Sequence, residues 1–148
     1  MTLLYILRNH NKLRAEAEAQ IEEARALLRQ ERERVFARFG GAARFSDELL
    51  SGTPDHDAKI AAAMDDILIA EQEYARRIAP LRAIQRTLDE VERAVTEMPE
   101  PYRTTFLALY YGGQDETLTE WETRRRIDDG IAILTKSLNP LARREKPW

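Results

Sequence analysis

Three consecutive arginines, Arg124, Arg125 and Arg126, form the densest chemistry-bearing run in the chain. Lys136, Arg143, Arg144 and Lys146 follow and extend the basic concentration to the C-terminal tail. Guanidinium forks and ammonium groups in such a run can contact the phosphate backbone of a nucleic acid. The same residues can also make a solubilising helix end, with the Arg124 stem lying over a neighbouring apolar stripe. Glu120 and Glu122 stand just before the run, and Asp128 and Asp129 stand just after it. Phosphate approaching here therefore meets both signs of charge. Arg124, Arg125, Arg126, Lys136, Arg143 and Arg144 are the candidate DNA contacts.

Other reactive groupings are sparse. His10 and His56 are the only histidines, and Asp55-His56-Asp57 could in principle offer metal ligands. One turn without a second ligand cluster rarely closes a metal site, and Asp55 or Asp57 serves better as a helix cap. No serine sits in a nucleophile elbow, no glycine-rich loop is shaped for phosphate, and there are no cysteines for thiol chemistry or thiolate ligation. The expectation is a non-enzymatic protein without cofactor or metal. Among the aromatics, Tyr110 and Trp121 are expected in a small C-terminal core. Tyr111 and Trp148 are open between core and partner contact, since aromatics and arginines dominate binding hot spots.

The elements that must position these groups are helical. Of the 148 residues 33% are charged and 43% hydrophobic, with few glycines, prolines and aromatics, a balance suited to long helices. A first helix is predicted from about Asn9 to Phe39, where Ile21, Leu28 and Val35 recur every seventh residue with Ala17 and Ala24 between them. Gly40-Gly41 ends it. Residues 40–56 read as a connection whose apolar cluster, Phe45, Leu49 and Leu50, can form one helical turn. The second helix carries a strict seven-residue repeat of Ile60, Ile67, Tyr74, Leu81, Leu88 and Val95. Met64, Ile78, Ile84, Val91 and Met98 are its intervening apolar positions. Such a seam needs a partner helix along its length. The first helix supplies one, giving an antiparallel hairpin. The surplus C-terminal half needs cover from the last helices or from a second copy, so the seam also makes a homodimer an expectation. Pro80 inside the repeat predicts a kink or local break.

After Pro99 and Pro101, "YRTTFLALYY" places Tyr102, Phe106, Leu109 and Tyr110 on one helical face, and Gly112-Gly113 closes it. Thr117 and Glu120 read as a capping box. The final helix should run unbroken from Leu118 to Leu138, with Leu118, Trp121, Ile127, Ile131, Leu134 and Leu138 as its apolar stripe. The organisation expected is all-α: a long coiled-coil-like antiparallel hairpin over 1–98 and a small C-terminal helical unit over 99–148.

"MPEPYRTTFLALYYGG" is similar to the start of the fourth region of sigma factors, which reads promoter DNA, and "RRRIDDGIAILTKSL" resembles that motif's end. In its order of segments the whole chain resembles small phage and prophage regulators of the ArpU/RinA type, which join a helical hairpin to a sigma-like C-terminal domain. The resemblance implies transcription regulation by DNA binding through Arg124, Arg125 and Arg126. The chain departs from that pattern in the middle. "TLTEWE" runs directly into "TRRRIDD", so roughly one to two helical turns and the corner between supporting and recognition helices are missing.

The net charge of −3 leaves no global basic field to draw the protein onto nucleic acid or anionic membrane. The apolar run in "MTLLYILRNHNKL" lacks preceding basic residues and a cleavage site and is too short to cross a bilayer, so a soluble protein of the bacterial cytoplasm is expected. Two functions from different classes follow: a DNA-binding regulator, or a protein-binding antagonist that has left DNA behind, such as a phage counter-defence inhibitor of anti-CRISPR type.

Overall fold

The structure is a computed structural model and describes residues 1–49, 54–113 and 117–138. It is all-α, with α1 (Leu3–Ala37), α2 (Ala42–Leu49), α3 (Pro54–Thr96), α4 (Tyr102–Tyr110) and α5 (Glu120–Leu138), and no strand among the described residues. The chain forms two compact units, and their division does not fall at 98/99. One unit joins Met1–Ala15 to the chain from Ile84 onward; the other is Glu16–Ala83. The two long helices contribute a segment to each.

In the first of these units, α1 begins at Leu3 and not near Asn9, because Thr2 caps it. The Tyr5 amide donates to Thr2 Oγ1 at 3.2 Å, and the Ile6 amide to the Thr2 carbonyl at 3.1 Å. The extra turns carry Ile6 and Leu7 into a core with Leu88, Val91 and Val95 of α3 and with Met98 just past its end, closed by Phe106 and Leu134. The surplus half of the seven-residue seam is thereby covered within the chain. Arg14 crosses to Asp89 at 2.9 Å and Glu92 at 3.5 Å, an exposed bridge worth little next to the buried apolar area.

In the other unit, Ala17, Ile21, Ala24, Leu28 and Val35 of α1 are buried as their spacing predicts, and Ile60, Ile67, Tyr74 and Leu81 of α3 turn inward from buried to half-buried positions. Arg32 bridges Glu71 and Arg38 bridges Asp66, both at 2.7 Å, in the descending order of an antiparallel pair. Gly40 and Gly41 end α1 with φ of 86° and 119°, values that side chains disfavour, and the Gly41 amide donates to the Phe36 carbonyl at 2.9 Å.

The connection is more ordered than a single turn: α2 is a full short helix whose Phe45 packs with Val35 and Ala63 and against Phe36 and Phe39. Ala63 takes the inward place expected for Met64, because Phe45 needs a small residue beneath it. Met64 is left 54% exposed. Since α3 starts at Pro54, Asp57 lies inside it and does not cap it; the side chains of Leu49, Asp55 and His56, and Leu50 entirely, lie outside the described residues. Pro80 sits exposed within α3, which stays helical through it.

Candidate functional site

The site expected around Arg124–Arg126 is organised by the start of α5. Two overlapping Thr-x-x-Glu boxes are written in the sequence, and the structure uses the later one. The Glu122 amide donates to Thr119 Oγ1 at 3.2 Å, and the Thr119 amide donates back to Glu122 Oε2 at 3.3 Å. The helix therefore starts at Glu120, not at Leu118 under a Thr117 cap. It then runs unbroken to Leu138, so no corner separates a supporting from a recognition helix.

The register of α5 is set by Gly130, which is buried where α5 meets α4. A Cβ placed there would stand 2.4 Å from Phe106 Cε1 and Cζ and 3.3 Å from Met98 Cε. The Phe106 ring occupies the space that any side chain at 130 would need. With Gly130 and Leu134 facing inward, Trp121 falls about half a turn away around the helix. It is 66% exposed, against its expected place in the core. Leu109 of α4 is likewise 45% exposed, and Thr105, at 2%, takes the buried place beside Phe106.

The arginine triplet is fanned out by the same register. Arg124 reaches back to Glu120 at 3.5 Å, and both are well exposed. The Arg125 guanidinium lies over the Trp121 ring, 5.3 Å from its centroid. Arg126 turns inward and donates to Thr105 Oγ1 at 3.0 Å, while Thr105 donates to the Pro101 carbonyl at 3.2 Å. Arg126 thus ties α5 to the start of α4. Lys136 is exposed in the last turn of α5. Arg143 and Arg144, with Lys146 and Trp148, lie outside the described residues. Among the described residues, the candidate DNA contacts are therefore not gathered onto one face.

What does gather is a shallow depression of about 270 Å³ between α4 and α5, lined by Pro101, Tyr102, Trp121, Glu122, Arg125, Arg126 and Asp129. An exposed indole under a guanidinium, a neighbouring phenol and acidic groups at the edge suit contact with another protein's mixed surface. Glu122 and Asp129 work against a phosphate at the same spot.

A second cluster in this unit was not legible in the sequence. His10 of α1 is 8% exposed and stacks on the Tyr111 ring at 4.2 Å between centroids. Its Nε2 meets the carbonyl oxygen of Tyr110. A carbonyl only accepts, so Nε2 carries the hydrogen, and His10 satisfies one of the last carbonyls of α4. The Leu107 carbonyl accepts from the Tyr111 and Gly113 amides at 3.0 and 2.8 Å. Burial pushes the Tyr111 hydroxyl up to about 12, with Glu92 adding to the shift and Arg14 opposing it. Its oxygen is buried and finds no hydrogen-bond partner among the described residues. Burial also raises Tyr110, against the opposing charge and hydrogen bond of Arg8. Only the lone histidine in the first helix hinted at this cluster, since its partners lie a hundred residues away in sequence.

No group of three or more His, Asp or Glu residues able to hold a metal occurs among the described residues, and no helix among them is long and apolar enough to cross a membrane. No protein-family model, curated protein or solved structure matches this chain.

Proposed function

We propose that the chain is a non-enzymatic regulatory protein of phage or prophage type, of sigma-like ancestry, that acts by binding another protein through the outer face of α5. The observation that carries this reading is Trp121, 66% exposed with the Arg125 guanidinium across its ring. An indole kept in solvent costs hydration free energy that burial by a partner recovers, and a paired arginine adds directional hydrogen bonding. The unbroken α5 supports the same reading, because a recognition helix braced by a separate supporting helix is how the ancestral motif reads the major groove. A counter-defence inhibitor of anti-CRISPR type is one protein-binding role of this kind.

A second reading, transcription regulation by DNA binding, draws on Arg124, Arg125 and Lys136, all exposed on α5. Two measurements on the same protein separate the readings. Capture of host proteins on immobilised chain should yield a partner that Trp121→Ala and Arg125→Ala both lose, while duplex DNA shows no salt-sensitive affinity. Affinity for duplex DNA that falls steeply with salt and drops with Arg124→Ala and Arg125→Ala, but survives Trp121→Ala, would replace protein binding with DNA binding.

A further inference from the structure

On α1 of the Glu16–Ala83 unit the exposed positions are mostly charged or polar, among them Glu16, Glu18, Glu22, Glu23, Arg29 and Arg34, with Leu27 41% exposed. On α3, Ile69 lies opposite the face that packs inward and is 57% exposed, and Leu68, about a quarter turn around the helix from it, is 51% exposed.

The exposed face of α3 has its own heptad order. Ala58, Ala62, Asp65, Ile69, Gln72, Arg76, Ala79 and Ala83 are all exposed and follow one another at alternating steps of four and three residues. That is the spacing of a helix–helix seam. The series is also self-complementary when reversed about the point between Ala70 and Glu71. Ala58 then faces Ala83, Ala62 faces Ala79, Ile69 faces Gln72, and Asp65 faces Arg76. Opposite charges at mirrored positions are what a two-fold, isologous contact requires, since each pair occurs twice. Arg76 is held only loosely in its own chain, 3.9 Å from Glu73 with its side chain 80% exposed. Leu68 lies beside the centre of the series, so two copies bring their Leu68 side chains to the same flank of the dyad.

We infer that this face binds a second copy of the chain: two α3 helices pack antiparallel over 58–83, with Asp65 of each protomer against the partner's Arg76. This interface differs from the seam of Ile60, Ile67, Tyr74, Leu81, Leu88 and Val95, which is used inside the chain. It does not depend on the role of Trp121.

The test is the molar mass of the full chain in solution, by sedimentation over a concentration series, with charge reversals at the two mirrored positions. The wild-type protein should approach twice the 17.1 kDa of one chain. Asp65→Arg and Arg76→Asp should each weaken association about tenfold or more, because each sets two like-charged pairs face to face. The double variant Asp65→Arg/Arg76→Asp should regain wild-type association, and Leu68→Glu should leave a helical monomer by circular dichroism. The proposal is overturned by a wild-type monomer at ~100 µM. It is equally overturned by a dimer that both single reversals leave intact, or by a double variant no better than the singles.

Discussion

Val91, Val95, Phe106 and Leu134 have no exposed surface in the unit that holds α4 and α5, while Leu27, Met64, Leu68 and Ile69 of the Glu16–Ala83 unit are each 41–57% exposed. The first unit surrounds its stretch of α3 with α1, α4 and α5, so the helix is covered on several sides. In the second, α1 and the short α2 meet one side of α3, and the other side, with Leu68 and Ile69, stays exposed among the described residues. The lesson is that apolar content alone does not say where a core is. It says how much surface must be covered, and the number of helices at hand decides whether the chain covers it alone.

The contrast can be broken most forcefully at Phe106. Phe106→Ala should lower the unfolding free energy by about 3–5 kcal/mol, read from urea titration, because the cavity opens at the meeting of α3, α4 and α5. A loss no larger than that of a surface substitution would mean that this core is not closed.

Gly130→Ala tests the same closure from the opposite direction. In an exposed helix the change gains about 1 kcal/mol of helix propensity, but here the added methyl meets the Phe106 ring, and a net loss of roughly 1–3 kcal/mol is expected. A stabilised variant would show that α4 and α5 stand further apart.

The alkaline limb gives a third comparison. A tyrosine whose folded value is raised from 10.0 to about 12 keeps its full contribution below pH 10 and loses it as pH climbs through the folded value. Stability should therefore fall between pH 10 and 12, by at most ~2 kcal/mol because Tyr111 is only half-buried and partly screened. Tyr111→Phe should flatten that fall without removing it, since Tyr110 is also raised. The same variant should gain up to ~1 kcal/mol at neutral pH by deleting a buried hydroxyl without a partner. An unchanged alkaline melting curve would place that hydroxyl in water.

The smallest effect belongs to the exposed face. Under dilution to a monomer, Leu68→Ala should change the unfolding free energy by no more than ~0.5 kcal/mol. A loss comparable to that at Phe106 would mean that Leu68 is already covered within one chain.

Much of this architecture was legible before any coordinates. The seven-residue spacing of Ile21, Leu28 and Val35 and the repeat from Ile60 to Val95 identify the paired faces of α1 and α3, because helical periodicity is a local property. Gly40-Gly41 and the unbroken α5 were legible for the same reason. Trp121 belongs with these: six residues before Ile127, it lies about 120° around the helix from the stripe of Ile127, Ile131, Leu134 and Leu138, so helical spacing alone accounts for its exposure, and the Phe106 ring in the gap at Gly130 fixes that stripe inward. Met64 is different, because it shares the stripe of Ile60 and Ile67, and only the arrival of Phe45 from α2 selects Ala63 in its place.

By itself, then, the sequence determined α1, α3, α4 and α5, with ends within two or three residues, apart from the start of α1, and the seam that holds α1 to α3. Tertiary structure alone decided that Arg126 ties α5 to α4 through Thr105 while Arg125 rests on an exposed Trp121, and that His10 closes the end of a helix a hundred residues away. Periodicity states which residues share a face of one helix. Which face is buried depends on the shape of the neighbour that arrives there, and that is a property of two segments distant in sequence and close only in the fold.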